Sequence, residues 1–140
     1  MSTETDNGVC KETIAIGKKL VQMCNADQAE AFIEQHYSDD IVSVEVMGMP
    51  EVGMPREMKG MEAIRAKTKW WYDNHEIHSS SAEGPLPNGN QFIVIFEMDI
   101  TPKMGPMAGQ RMQMKETGLY TVEDGKIARE QFFYDMGDCG

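Results

Sequence analysis

Strict alternation of apolar and polar positions is clearest near the C-terminus, between residues 110 and 135. Two alternating runs flank Asp124-Gly125, a dipeptide typical of a tight turn, so the pattern predicts a β-hairpin. Because successive side chains of a strand point to opposite faces, one row of each strand is predicted to face the interior. These rows are Met112, Met114, Glu116, Gly118, Tyr120 and Val122 on the first strand, and Ala128, Glu130, Phe132 and Tyr134 on the second.

Each inward row of this hairpin carries one carboxylate, Glu116 or Glu130. A buried carboxylate is costly unless it has a partner, a water-filled cavity or a chemical task. A register that pairs Tyr120 with Glu130 places Glu116 opposite Tyr134, so each acid has a tyrosine within reach and both share one cavity. Burial and mutual repulsion then raise the pKa of at least one acid. The two are candidates for general acid–base catalysis, or buried core acids satisfied by tyrosine, arginine or water.

Helical spacing of apolar residues dominates the N-terminal half of the chain. It predicts an amphipathic helix over residues 10–24, a second from a capping-box-like start at Asp27 to Tyr37, and a third over 61–74. The strands are predicted at 41–46, 76–82 and 91–100, and the segments rich in Gly, Pro and Met, 47–61 and 101–109, are predicted to be irregular. Three helices enclosing one strand, followed by four antiparallel strands, predict an α+β fold with helices on one face of a curved sheet.

Length and composition are those of a single globular domain. The 140 residues are 41% hydrophobic and 26% charged, which predicts a polar disordered tail at 1–9 and one domain at 10–140. A formal net charge of −10 disfavours nucleic acid and anionic membranes as partners. The sequence shows no signal peptide and no membrane-spanning run, and its three cysteines lack the spacing of a metal site. The expected location is therefore cytoplasmic.

Three motifs together resemble one protein superfamily. They are the helix-to-strand junction HYSDDIVSVE, the helix start KGMEAIRA and the terminal hairpin LYTVEDGKIAREQFFYD. In this order and spacing they are similar to the SnoaL-like branch of the nuclear transport factor 2-like superfamily, which includes ketosteroid isomerases and polyketide cyclases. The resemblance covers the chain from about Val9 onward. It implies a cone of curved sheet on three helices, an internal pocket and frequent dimers through the outer sheet face, but not one activity, because the fold hosts many.

The catalytic residues of that superfamily are only partly matched. Its general base falls at Glu45, which faces the pocket or the solvent according to the register of strand 41–46. The oxyanion-hole tyrosine falls at Val21 and the protonated acid at Gly118, while the cyclase histidine and aspartate fall at Gly118 and Phe132. Because an enolate requires donors where its charge develops, the resemblance implies little or no steroid isomerase activity.

The remaining candidate ligand contacts surround the predicted cavity. They are Tyr120, Tyr134, Phe132, Trp71, His36, Phe96, Met112 and Met114. Trp70 and Trp71 are neighbours on a helix, so one is expected inside and the other at the mouth or an interface. Methionines of the irregular segments are expected to line the mouth because they repack around irregular shapes. The three histidines, His36, His75 and His78, form no convincing metal set, so no metal or cofactor is expected.

The sequence supports two functional hypotheses. One is a small pocket protein that binds a hydrophobic small molecule in the cone and performs isomerase-, cyclase- or lyase-like acid–base chemistry. The other is a non-catalytic ligand-binding or dimerisation module. Hydrogen-bond donors beside the acids favour the enzyme, whereas a cone filled by aromatic side chains favours the module. A homodimer through the outer sheet face is expected, because that face carries Ile93, Ile95, Leu119 and Phe133.

Overall fold

The computed structural model describes residues 3–135, and the side chains of residues 11–135. It contains three helices and one six-stranded sheet. Two helices come before the first strand along the chain, and the third lies between the second and third strands. The helices are α1 (Thr3–Asn25), α2 (Ala29–His36) and α3 (Met61–Asn74), with a 3-10 turn at Pro50–Val52. The strands are β1 (Tyr37–Val44), β2 (Glu57–Lys59), β3 (His75–Asn88), β4 (Gln91–Pro102), β5 (Met112–Glu123) and β6 (Lys126–Phe133).

The strands form one open sheet in the order β2-β1-β6-β5-β4-β3. All neighbours are antiparallel except β1 and β6, which run parallel. The α+β prediction is confirmed, and so is the register of the terminal hairpin, which pairs Tyr120 with Glu130 and Gly118 with Phe132. Irregularities in the β3–β4 ladder bend the sheet, because a bulge sharpens the local twist of a strand.

The hydrophobic core lies where the helices pack on the sheet. Its apolar side chains come from all three helices and from five of the six strands. Burying each large side chain contributes about 1.5–3 kcal/mol, so this layer sets the position of every element around it. Six of its residues are at most 1% exposed: Phe32, Ile41, Ile64, Phe92, Val94 and Ile127.

Strand β3 lies at one edge of the sheet, and α1 covers part of that edge. The side chain of Asn25, the last residue of α1, donates from Nδ2 to the Ala82 carbonyl oxygen at 3.0 Å. Its Oδ1 accepts from the Ala82 N–H at 2.8 Å. One side-chain amide thus satisfies both backbone groups of an edge residue, as a neighbouring strand would.

Several element boundaries differ from the predictions. Helix α1 begins at Thr3, ahead of the start predicted at residue 10, and the domain boundary predicted there stays a prediction. Helix α2 has Gln28 at its N-cap without a side-chain cap, since Asp27 adopts a left-handed conformation with φ 59°. The segment predicted to be wholly irregular contains the 3-10 turn and strand β2, because the free edge of β1 supplies pairing partners. Within residues 3–135, no helix is long and apolar enough to cross a membrane.

Candidate functional site

Glu130 is a buried carboxylate on β6, only 3% exposed, and it is fully engaged in hydrogen bonds. Its Oε1 accepts from the hydroxyl of Tyr37, and its Oε2 accepts from Ser43 Oγ at 2.6 Å. The parallel β1–β6 ladder creates the second contact, because it pairs Ser43 with Glu130. The bonding phenol is therefore that of Tyr37 and not that of Tyr120, the cross-strand partner of Glu130. Burial, followed by the charge of Glu130, raises the pKa of Tyr37 well above its usual value, so Tyr37 remains a donor.

Glu130, Tyr37 and Ser43 form a buried polar cluster. Lys67 on α3 supplies a positive charge to this cluster. It lies three residues after Ile64 and four before Trp71, and this helical spacing brings it to the face that packs on the sheet. Ile64 is fully buried and Trp71 is partly buried, so the apolar face of α3 carries the lysine inward.

All three ammonium hydrogens of Lys67 are used within the cluster. Its Nζ donates to Ser43 Oγ at 2.7 Å, to Glu45 Oε2 at 2.6 Å and to Glu130 Oε2 at 3.1 Å. Burial alone would lower the pKa of Lys67, but the charges and hydrogen bonds of Glu130 and Glu45 outweigh it and raise that pKa. A saturated ammonium has no hydrogen left for a ligand, so Lys67 acts as a fixed charge.

Glu116 faces the same cluster from β5 without being part of its hydrogen-bond network. Among the residues that the structure describes, no side chain hydrogen-bonds the Glu116 carboxyl. Burial, together with the charges of Glu45 and Glu130, raises the pKa of Glu116 to about 7, although the charge of Lys67 lowers it. The group is therefore a mixture of acid and carboxylate at neutral pH.

Tyr134 follows directly after the end of β6 and is partly buried. The β5–β6 ladder ends at the Thr117–Phe133 pair, one step before the predicted Glu116–Tyr134 pair. Burial and the charges of Glu45 and Glu116 raise the pKa of Tyr134, which is a protonated phenol at neutral pH. The Tyr134 hydroxyl therefore interacts electrostatically with Glu45 and Glu116, the two acids that are not fully buried.

Aromatic side chains pack beside the buried acid Glu130, whose cross-strand partner is Tyr120. The Tyr120 ring stacks on Phe92, with ring centroids 5.1 Å apart, and meets Phe132 edge-on at 6.3 Å. The Phe132 ring in turn lies 4.8 Å from Lys67 Nζ, a cation–π distance. A Cβ atom added at Gly118 would lie 2.7 Å from the Tyr120 ring, so that ring fills the space that a side chain at 118 would need.

Three other predicted contacts lie on the inward rows near Glu116. Phe96 on β4 is the cross-strand partner of Glu116 and is partly buried against the core. Met112 and Met114 precede Glu116 in the same row of β5, and both are partly buried. The structure thus places these three apolar side chains on the same inward face as Glu116.

The predicted contacts His36 and Trp71 each stack on another aromatic ring. His36 stacks on Phe32 at 4.6 Å, and its pKa is lowered by burial and by nearby lysines. Trp71 stacks on His75 at 3.9 Å, while Trp70 meets the same histidine edge-on at 5.7 Å. Both tryptophans are partly buried, so the expected division into one inner and one outer ring does not occur. No described group of three or more His, Cys, Asp or Glu side chains could hold a metal ion.

Sequence reasoning missed three members of the cluster, Tyr37, Ser43 and Lys67. A lysine at helical spacing between Ile64 and Trp71 was the available signal, because both of these neighbours on that face are apolar. Ser43 also alternates with the buried Ile41 on β1. Neither signal points to Glu130 until the parallel pairing of β1 and β6, which brings Ser43 beside Glu130, is known.

The profile of the SnoaL-like domain matches residues 11–134. The chain belongs to the SnoaL-like family. A candidate SnoaL-like polyketide cyclase from Mesorhizobium loti is 41% identical over 86% of this chain and 97% of that protein, and the two structures superpose with a TM-score of 0.77.

More distant structures share the SnoaL-like fold. A candidate SnoaL-like polyketide cyclase from Jannaschia sp. CCS1 is 14% identical over 91% of this chain and 88% of that one, with a TM-score of 0.70. An LEH-like epoxide hydrolase from M. tuberculosis is 15% identical over 93% and 87%, with a TM-score of 0.63. Curated proteins give no match. At such low identities the likeness establishes the fold alone.

In this SnoaL-like chain, the three positions that match the catalytic residues of the isomerases have the following contacts. Glu45 lies just after β1, with its side chain 23% exposed, and is bound to Lys67. Val21 packs against the core, and Gly118 lies beneath Tyr120. The titratable groups that interact with one another in this chain are therefore Glu116, Tyr134 and the network around Lys67.

Proposed function

We propose that this SnoaL-like protein binds a small, mainly apolar molecule and transfers a proton to or from it through Glu116. The observation that supports this best is the state of the Glu116 carboxyl, which has a pKa of about 7 and no hydrogen-bond partner in the described part of the chain. A general acid–base works best when its pKa lies near the pH at which it operates. Such catalysis typically contributes about 10²–10⁴-fold to the rate.

The network around Lys67 tunes this carboxyl and does not contact the substrate itself. The Lys67 ammonium is held by Ser43, Glu45 and Glu130, and its three hydrogens are donated to them. The two carboxylates of the network raise the pKa of Glu116, while the ammonium limits that rise. Lys67, Ser43 and Glu130 are thus positioning residues.

Tyr134 is the donor that this reaction would use. In the proposed step, Glu116 removes a proton from the carbon next to a carbonyl group, and the electron pair of the C–H bond moves toward the carbonyl oxygen. The phenol of Tyr134 hydrogen-bonds the charge that develops on that oxygen. Its raised pKa keeps the hydroxyl protonated for this purpose. The return of the proton, at the same carbon or another, completes the turnover.

Deuterium exchange tests this chemistry without knowledge of the natural substrate. Cyclic ketones such as cyclohexanone are incubated with the protein in D₂O, and loss of the α-proton signal is followed by NMR. We expect exchange above the buffer rate, rising with pH through about 7 as Glu116 ionises. The variant Glu116→Gln should lose this exchange, whereas Glu97→Gln, which changes an exposed acid on β4, should retain it.

Two results would favour the alternative of a non-catalytic ligand-binding or dimerisation module. One is a wild-type exchange rate equal to that of the buffer, and the other is a Glu116→Gln variant that exchanges as fast as the wild type. The aromatic packing of Tyr120, Phe92 and Phe132 beside the acids is the feature that supports this alternative. Steroid isomerase activity should be absent or very weak in either case, since Val21 and Gly118 donate no side-chain hydrogen bond. Robust turnover of a β,γ-unsaturated ketosteroid would contradict that expectation.

We also propose that the protein forms a homodimer through the outer face of its sheet. Ile93 and Leu119 are cross-strand partners on that face, and Leu86 pairs with Ile93. Leu86 is 57% exposed and Phe133 is 48% exposed. Together with Ile95 they make a ladder of apolar side chains across four strands, which a second copy would cover.

A further inference from the structure

The hydroxyl of Tyr120 is a polar group that the network around Lys67 does not use. Tyr120 is only 2% exposed, yet within the described part of the chain no hydrogen bond joins its hydroxyl to another group. Every fully buried side-chain nitrogen or oxygen atom in that part has a hydrogen-bond partner. The Tyr120 hydroxyl is therefore not fully buried, and the small exposed fraction of this side chain includes its oxygen.

The Tyr120 ring leans along β5 toward Glu116. Gly118 lies between these two residues in the same inward row of the strand. A Cβ atom added at Gly118 would lie 2.7 Å from Cε2 of the Tyr120 ring and 3.0 Å from its hydroxyl oxygen. The hydroxyl thus stands over position 118, and the next side chain of the row is that of Glu116. Two residues span about 7 Å along a strand, so one small molecule can contact both groups.

The side chains beside this hydroxyl on the neighbouring strands are apolar. Val94 on β4 and Phe132 on β6 are the cross-strand partners of Gly118. Val94 is fully buried, and the Phe132 ring meets the Tyr120 ring edge-on. Neither side chain carries a hydrogen-bonding atom. A polar group in such surroundings is costly to leave unpaired, which favours a partner that comes from outside the chain.

The surroundings of Tyr120 also keep its hydroxyl protonated. Burial, followed by the charge of Glu130, raises the pKa of Tyr120 well above its usual value, and the charge of Glu116 adds to this rise. The phenol is therefore neutral at neutral pH and has a hydrogen to donate. An oxygen atom with a free lone pair is the partner that it fits.

We propose that the Tyr120 hydroxyl is a second ligand-contacting donor, which hydrogen-bonds an oxygen atom of the molecule bound beside Glu116. This inference rests on the proposed function and adds a catalytic residue to it. Tyr134 follows the last residue pair of the β5–β6 ladder, whereas the Tyr120 hydroxyl lies over Gly118, inside that ladder. Two donors at different positions along the sheet would fix the orientation of a ligand relative to the Glu116 carboxyl.

The variant Tyr120→Phe removes the hydroxyl alone and keeps the ring that stacks on Phe92. In the deuterium-exchange assay with cyclohexanone, we expect its rate above the buffer rate to be at least tenfold lower than that of the wild type, because a lost donor stabilises less of the developing charge. We expect its midpoint of urea unfolding to equal that of the wild type, since the hydroxyl has no partner within the described residues. The matched control is Tyr72→Phe, at a tyrosine of α3 that is 41% exposed, and it should change neither quantity.

Tyrosine labelled with ¹³C at Cζ provides a measurement that does not depend on turnover. The Cζ signal responds to hydrogen bonding at the attached hydroxyl, and the two variants assign the signals of Tyr120 and Tyr72. During titration of the wild-type protein with cyclohexanone, we expect the Tyr120 signal to shift and the Tyr72 signal to stay in place. This experiment uses the unaltered protein, so it remains valid if Tyr120→Phe folds poorly.

An unshifted Tyr120 signal would overturn the inference, and so would a Tyr120→Phe variant that exchanges as fast as an active wild type. A lowered urea midpoint for Tyr120→Phe together with an unshifted signal would give the hydroxyl a structural role instead. The two measurements also separate this inference from the proposed function. Exchange that depends on Glu116, with an unshifted Tyr120 signal, would support the acid–base proposal and overturn the role of Tyr120. A shifted Tyr120 signal without exchange above the buffer rate would support the ligand contact and contradict the acid–base proposal.

Discussion

The carboxyl of Glu116 connects the chemistry of this protein to its stability. Its pKa of about 7 in the folded chain lies above the ordinary glutamate value of 4.5. The folded state therefore binds more protons than the unfolded state between these two pH values. The sign of this difference means that the free energy of unfolding falls as the pH rises from about 4.5 to about 7. The loss contributed by this one group is about 3 kcal/mol at most.

The variant Glu116→Gln should remove that loss. We expect it to be more stable than the wild type at pH 8, by about 1–3 kcal/mol, with the difference shrinking toward pH 5. Urea unfolding at several pH values between 5 and 8 measures this. Glu97→Gln, on an exposed acid, should follow the wild-type profile. A Glu116→Gln profile parallel to the wild type would show that the pKa of Glu116 is ordinary.

Lys67 should behave in the opposite way, as a residue needed for folding. The change Lys67→Met leaves Glu45 and Glu130 buried or half-buried without their cation, which typically costs about 3–5 kcal/mol. Lys69→Met is the matched control, because Lys69 pairs with Asp73 on the exposed face of the same helix. Such surface pairs contribute about 0–1 kcal/mol. Equal midpoints of urea unfolding for the two variants would refute the role given to Lys67.

At the scale of the element, strand β5 depends on a glycine that has ordinary strand geometry. Gly118 is required because the Tyr120 ring, stacked on Phe92, lies over its Cα. Gly118→Ala should cost about 1–3 kcal/mol through overpacking, measured by thermal or urea unfolding. Thr117→Ala, at the neighbouring outward position, should cost less than about 1 kcal/mol. A neutral Gly118→Ala would mean that the Tyr120 ring moves aside easily.

The elements that the sequence predicts well are those with local signals. Alternation and the Asp124-Gly125 turn were enough for the terminal hairpin and its register, because both are encoded within about 25 neighbouring residues. Strand β2, with only the three residues Glu57–Lys59, has too few positions to show a period. It exists because β1 offers a free edge, and that is a property of the assembled sheet.

The candidate site was predictable only where a residue breaks its own local pattern. Glu116 and Glu130 stand out as acids in apolar rows, and the structure places both on the inward face. Tyr37 and Ser43 look ordinary in their segments, since their partner Glu130 is about 90 residues away in sequence. Non-local pairing between β1 and β6 decides these contacts, and no single stretch of sequence encodes it.

At the scale of the whole molecule, the outer sheet face predicts association. We expect sedimentation to show a homodimer at micromolar concentration, and Leu119→Asp to produce monomers by placing a charge in the apolar ladder. Met104→Asp, at an exposed loop position, should leave the dimer intact. A wild-type protein that is monomeric at that concentration would contradict the proposed homodimer.

The amide clasp between Asn25 and Ala82 limits how copies of this chain can join. A sheet that ends in an unprotected strand invites lateral growth, chain upon chain, into filaments. Here the backbone groups of Ala82 are already taken by the molecule's own first helix. The proposed dimer would bury the same outer sheet face of both copies, and such an isologous contact closes on itself after two copies. The side chain of Asn25 thus removes one donor and one acceptor from the edge of β3, and at this residue a further strand could not pair without breaking both bonds.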